Sequence, residues 1–203
     1  MTPLGQTTLE QTRLSDRHHT MLTQESGISE EVINARGYWT CEDPDELLEL
    51  GFNKRQRRTP CLVIPVHGIT GEILFHRIRP DKPRPDPKKP GKVIKYDQPA
   101  GVPVALDIPS PLEDLMDTTK RLWVPEGEKK ADALVSRGEV AVALLGVWNW
   151  KKDGWMLPEW DRIPLMGRDV IIAFDSDAVQ NYQVRLAEDA LAKALEVRGG
   201  FVG

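Results

Sequence analysis

Three carboxylates stand out in the 203-residue chain by where they fall: Glu126 in LWVPEGEKK, and Asp175 and Asp177 in VIIAFDSDA. Each group follows an apolar run of strand character, and the two aspartates are a single residue apart. In parallel sheets the loops diverge at the carboxyl ends of the strands, and ligands bind there. Carboxylates crowded at such an edge repel one another unless a divalent cation lies among them, and hard oxygen ligands favour Mg2+ or Mn2+ over zinc. The pattern therefore points to metal-assisted phosphoryl transfer. The plainer reading is that these acids cap the helices that follow, where the helix dipole favours negative charge. The order of the motifs weighs against it: Glu-Gly after one strand, a second strand ending in Gly146, then Asp-Ser-Asp after a third.

The elements that must position these acids are legible around them. RLWVPEG, VAVALLG and DVIIAF predict strands, and KKADALVSRG and VRLAEDALAKALEVRGG predict helices, the second with an apolar stripe. Strands without internal alternation, interleaved with helices, indicate a parallel sheet covered on both faces. This α/β domain takes residues 119–203. Residues 1–52 form a polar lead-in and a small helical lobe, with helices opening at Ser15, near Ser29 and at Asp43 or Pro44. Residues 53–118 form a basic, β-rich subdomain. In it, CLVIPV and EILFHRI flank the turn HGITG and predict a β-hairpin over 61–78. Nine of the sixteen prolines then fall between Pro80 and Pro111, leaving only a short strand in KVIKYDQP. Trp148, Trp150, Trp155 and Trp160 offer a stacking platform for single-stranded DNA or, as is more usual for aromatic residues, a filling for the core.

The net charge of −4 conceals a bipolar chain. From Lys54 to Lys95 there are twelve Lys or Arg against three acids, whereas the remaining residues carry fifteen against twenty-eight. A basic segment on an otherwise acidic chain suits phosphate-rich polymers, although a solvated basic loop has the same composition. No apolar run approaches eighteen residues, which excludes a helical membrane span, and no leader-like apolar segment opens the chain. Two cysteines are too few for a disulfide scaffold or a four-thiolate zinc site. A cytoplasmic protein is expected.

PEGEKKADAL, VAVALLGV and VIIAFDSDAVQN together resemble the Toprim domain of bacterial-type primases, primase-helicases, topoisomerases and related nucleases, over roughly Leu122 to Gly200. The segments are more similar still to Toprim-like domains of phage and mobile-element replication proteins. The resemblance implies a Toprim-like parallel sheet flanked by helices, with the helical lobe and basic hairpin subdomain in front of it. It also implies that Glu126 acts in acid-base chemistry or metal binding, that Gly127 allows the tight turn, and that Asp175 and Asp177 hold Mg2+ or Mn2+. The preceding TPCLVIPVHGITGEILFHRIRP and KVIKYDQPAGVPVALD are similar to the segment before the Toprim part of primases, a basic face for template and incoming nucleotide. Arg77, Arg79, Lys95 and Tyr96 are the candidates this carries over. Arginine suits the task through its planar, two-pronged pairing with phosphate oxygens.

The chain departs from that pattern in places. Cys41, Cys61, His18 and His19 do not supply the spacing of a zinc ribbon, and the two histidines are expected on a helix surface. Lys129 and Lys130 stand where related primases often carry an acid, so they are placed to neutralise phosphate or to lessen the need for a metal. Ala178-Val179 replaces the glycine that often follows the second aspartate, and a further strand is expected beyond ALEVRGGFVG to complete the sheet. No P-loop occurs, so no helicase motor lies in this polypeptide. The expected function is metal-dependent nucleotidyl transfer for primer synthesis, with single-stranded DNA, nucleoside triphosphates and a replicative helicase as partners. Two alternatives stay open: a Toprim nuclease using the same acids, and a catalytically silent nucleic-acid-binding replisome module.

Overall fold

The computed structural model describes residues 13–174 and 181–203. Its N-terminal lobe is built from short helices that polar side chains open. Ser15 Oγ accepts the His18 N–H at 3.3 Å and caps α1 (Asp16–Thr20), which runs on into a single π-helical turn, Met21–Glu25. Ser29 does the same for α2 (Glu30–Arg36), accepting the Val32 N–H at 3.3 Å. The next residues form β1 (Trp39–Cys41), a strand with no clear signal in its three-residue sequence. Asp43 then caps α3 (Pro44–Glu49) through the Asp45 N–H at 2.9 Å.

The predicted hairpin is present and slightly longer than expected. β2 (Cys61–His67) and β3 (Ile73–Pro80) pair antiparallel, with the register shifting between Val66 and His67. β1 pairs with the far side of β2, so the sheet order is β1-β2-β3 and the helical lobe contributes a strand to it. In the proline-rich stretch, β4 (Arg84–Pro85) and β5 (Val93–Ile94) form a two-residue ribbon, and a bridge between Ile78 and Asp97 returns the chain to β3. β6 (Leu106–Asp107) and α4 (Leu112–Met116) lead into the last domain.

That domain is the expected parallel sheet. In chain order it contains β7 (Leu122–Pro125), α5 (Glu128–Val135), β8 (Val140–Ala141) and β9 (Ala143–Leu144). A small hairpin of β10 (Lys151–Lys152) and β11 (Trp155–Met156) follows, then a 3-10 turn over Pro158–Arg162. β12 (Asp169–Ala173), α6 (Tyr182–Val197) and β13 (Phe201–Val202) complete it. The sheet order is β13-β12-β7-β8 with every pair parallel. α6 buries Ala187, Leu191 and Leu195, a four-residue spacing that keeps one stripe on the core. The run VAVALLG, expected as one strand, is shared between two partners: β8 extends the parallel sheet from β7, while β9 pairs antiparallel with β6.

The main core joins Leu122, Val124, Val170 and Ile172 of the sheet to Leu191 and Leu195 of α6. Two of the four clustered tryptophans belong to it. Trp150 and Trp160 are 4% and 1% exposed, and the Trp160 indole donates to the Trp150 carbonyl at 3.2 Å, whereas Trp155 is 80% exposed. The expectation of two surface histidines holds only for His19. His18 is fully buried, with Nδ1 2.8 Å from Thr40 Oγ1 and Nε2 2.9 Å from Asp81 Oδ1, and so ties α1 to β1 and to the end of β3. Adjacent residues of a helix point about 100° apart, so a short helix lying on a sheet turns one of the pair inward.

Candidate functional site

The site grows from the carboxyl end of β7. Val124 and Pro125 lie in register with Ile172 and Ala173 of β12, so the two strands end side by side. Glu126 follows directly and bridges in parallel to Leu144, while the Gly127 N–H donates to the Leu144 carbonyl at 2.8 Å. Gly127 turns the chain at φ 98°, a conformation that a side chain resists, and α5 starts at the next residue. The strand-to-helix turn thus holds the half-buried Glu126 at the sheet edge.

A cleft of about 480 Å³ opens there. It is lined by Glu126, Gly127, Lys129 and Lys130 from the turn and α5, by Arg77 of β3, by Tyr96 after β5, and by Glu25 and Ser26 of the lobe. Six of the ten residues singled out in the sequence therefore meet around one cavity. Arg79 stands behind it: its Nη1 donates to the Tyr96 hydroxyl at 3.2 Å, and its guanidinium lies 5.6 Å from the centre of that ring. Lys95 is exposed and lines a separate cavity of about 180 Å³, which it shares with Arg17 and Arg79. Asp175 and Asp177 lie outside the described residues.

The charges of the cleft are already partly matched. Arg77 is buried, its guanidinium 5.3 Å from the Tyr96 ring centre and its Nη1 2.5 Å from Oε1 of Glu128, a residue only 2% exposed. Nothing in the sequence singles out Glu128, which has the ordinary appearance of an acid in the first turn of a helix. Lys129 donates from Nζ to Ser26 Oγ at 3.0 Å. Burial pulls its ammonium down to about 8, and the positive charge of Arg79 acts in the same direction. Burial pushes the Tyr96 phenol above its ordinary value, so it stays protonated at neutral pH.

A second polar cluster, also invisible in the sequence, fixes the lobe against the rest. Arg36 of α2 is buried, with Nη2 2.6 Å from Asp107 Oδ2 and Nε 2.9 Å from Asp132 Oδ1. It also donates to the Pro65 carbonyl at 3.1 Å and contacts the His67 ring, while the Tyr38 hydroxyl donates to Asp132. Burial lowers the His67 imidazole to about 4, the Arg36 charge adding to the effect, so this ring is neutral at physiological pH. Asp132 belongs to α5, the same helix that starts at the cleft, and the Ser29 N–H donates to Ser136 Oγ one turn further on at 2.9 Å.

Among the described residues no group of three or more His, Cys, Asp or Glu is arranged to hold a metal ion. The described carboxylates of the cleft, Glu25, Glu126 and Glu128, supply hard oxygen donors, although Glu128 is engaged by Arg77.

A family model described as a domain of unknown function, DUF3854, matches residues 114–202. No curated protein matches the sequence. Among solved structures, the zinc-binding and RNA polymerase domains of the Aquifex aeolicus primase superpose with a TM-score of 0.65 at 15% identity, over 94% of this chain and 50% of that one. A DnaG primase catalytic domain bound to single-stranded DNA gives a TM-score of 0.54 at 18% identity, over 93% and 61%. The primase fragment of the bacteriophage T7 primase-helicase protein gives 0.53 at 17% identity, over 100% and 72%. The chain has the fold of these primase cores and spans about half to three-fifths of the first two.

Proposed function

We propose that this chain is a primase-type nucleotidyltransferase core that acts on single-stranded DNA and nucleoside triphosphates. The observation that carries the reading is the meeting of Glu126 with Arg77, Tyr96, Lys129 and Lys130 in one cleft at the carboxyl edge of a parallel sheet with a primase-like fold. Mg2+ or Mn2+ would be held by Glu126 together with Asp175 and Asp177. What supports this is that Glu126 lines the cleft and that Ala173, two positions before Asp175 in sequence, lies beside Pro125. When bound, such a cation polarises the α-phosphate and favours deprotonation of a 3′-hydroxyl.

The chain's own residues do the remaining work. Glu126, fixed by the Gly127 turn, accepts the hydroxyl proton or orients the cation. Lys129 and Lys130 neutralise phosphate charge across the cleft. Arg79 and Lys95 hold the template or triphosphate backbone, and the neutral Tyr96 ring supports the two arginines that flank it. A replicative helicase is the partner this reading implies, and the T7 neighbour is a fragment of a primase-helicase protein.

Template-dependent primer synthesis in Mg2+ or Mn2+ is the test. Glu126→Gln should lower the rate by about 10²–10⁴-fold, the range for loss of a positioned acid or base. Unchanged synthesis in the double variant Asp175→Ala, Asp177→Ala would remove those residues from the mechanism. A second reading rests on Lys129 and Lys130 lining the same cleft, where ammonium groups compete with a cation. It makes the chain a silent nucleic-acid-binding module, with DNA binding that salt weakens and a chelator leaves untouched.

A further inference from the structure

The two cysteines, separated by twenty positions in sequence, face each other across a strand pair. Cys41 ends β1, Cys61 begins β2, and they are direct partners in the antiparallel register. Both are free thiols with no exposed surface, packed in one cluster with Leu47, Phe52 and Ile78. Directly opposed residues of an antiparallel pair project from the same face with Cα atoms about 4.5–5.5 Å apart. That separation falls inside the range of about 4.4–6.8 Å spanned by disulfides, so the register of the two strands is compatible with a bond between the two sulfurs.

We infer that Cys41 and Cys61 are a modification site, a thiol pair that a low-molecular-weight disulfide such as oxidised glutathione converts into an intramolecular cross-strand disulfide. The inference does not depend on the proposed enzymatic activity. Access comes from β1 itself, a three-residue edge strand that among the described residues has β2 as its one strand partner and is held on its outer side through Thr40, whose N–H donates to the Arg13 carbonyl at 2.7 Å and whose hydroxyl accepts the Ser15 N–H at 2.8 Å. Such edges open locally at far lower cost than the whole fold. Burial raises both thiols above their ordinary values, so the closed sheet is unreactive and opening of β1 sets the rate.

In the opened strand the Cys41 thiolate attacks one sulfur of glutathione disulfide, forming a mixed disulfide and expelling one glutathione thiolate. The Cys61 thiolate then attacks the Cys41 sulfur and expels the second. Two electrons pass from the protein to glutathione, and the two protons lost by the cysteines end on the two released thiols. The closed loop contains α3 and the basic run Lys54–Arg58, so the modification tethers the most basic short segment of the chain at both ends.

The test is incubation of the full chain with glutathione disulfide, in native buffer and in urea below the unfolding transition. Free thiols are then blocked and the protein is digested with trypsin. Peptides 37–54 and 59–77 carry one cysteine each. The expected result is a single linked species that separates on reduction, with its formation accelerated by the urea. Cys41→Ser and Cys61→Ser should each leave the remaining cysteine as a glutathione adduct. Recovery of both peptides as free thiols or separate adducts under both conditions, or linkage between two chains, would overturn the inference.

Discussion

Arg77 and Glu128 meet at 2.5 Å across 51 residues of sequence, joining the basic hairpin to the first turn of the helix that starts beside Glu126. Both partners are almost withdrawn from water, so the pair is a joint between two parts of the chain as well as a lining of the cleft. Removing one partner strands a buried charge, which typically costs about 3–5 kcal/mol, whereas replacing both with apolar residues is often close to neutral.

Glu128→Ala should therefore destabilise the fold by about 3–5 kcal/mol in urea unfolding, with Arg77→Met and Glu128→Met together restoring most of the loss. A single substitution as mild as an exposed surface change would show that the pair does not hold the hairpin to the helix.

Lys129 gives the cleft a pH dependence of known sign. With its folded value near 8 and an ordinary value of about 10.4, it loses its proton between pH 7 and pH 9 while an unfolded chain would keep it. Affinity for a single-stranded oligonucleotide at fixed ionic strength should fall across that window, and Lys129→Arg should flatten the fall because guanidinium remains charged. Stability should move the other way, rising with pH above 8, since the unfolded state then binds the proton more tightly.

The tryptophans separate by depth. Trp160→Ala should cost about 3–5 kcal/mol, as expected for emptying a large core site, and Trp155→Ala should change stability by no more than about 0.5 kcal/mol. Thermal unfolding of the two variants side by side distinguishes them, and similar losses in both would contradict the burial described above.

What the sequence disclosed was what local chemistry decides. Ser15, Ser29 and Asp43 announce helix starts because each cap is completed within three residues, and Glu126-Gly127 announces a turn because a strand pattern stops there and a helix pattern begins. The partners of Arg36 lie 71 and 96 positions away, and no periodicity or spacing marks such a pairing. His18 was misplaced for the same reason, since its burial depends on Thr40 and Asp81. β1 escaped because three residues carry too little pattern, and the division of VAVALLG between β7 and β6 depends on a strand that precedes it by more than thirty residues.

The Arg36 cluster also bears on how this polypeptide tolerates dissection. One guanidinium counterbalances acids contributed by two later stretches, Asp107 and Asp132. A truncated version lacking the first fifty residues would leave Asp107 and Asp132 without the guanidinium they share, and solvent or protons would have to relieve them. The lobe therefore serves as an internal counterweight, and severing it unbalances the half that carries the cleft.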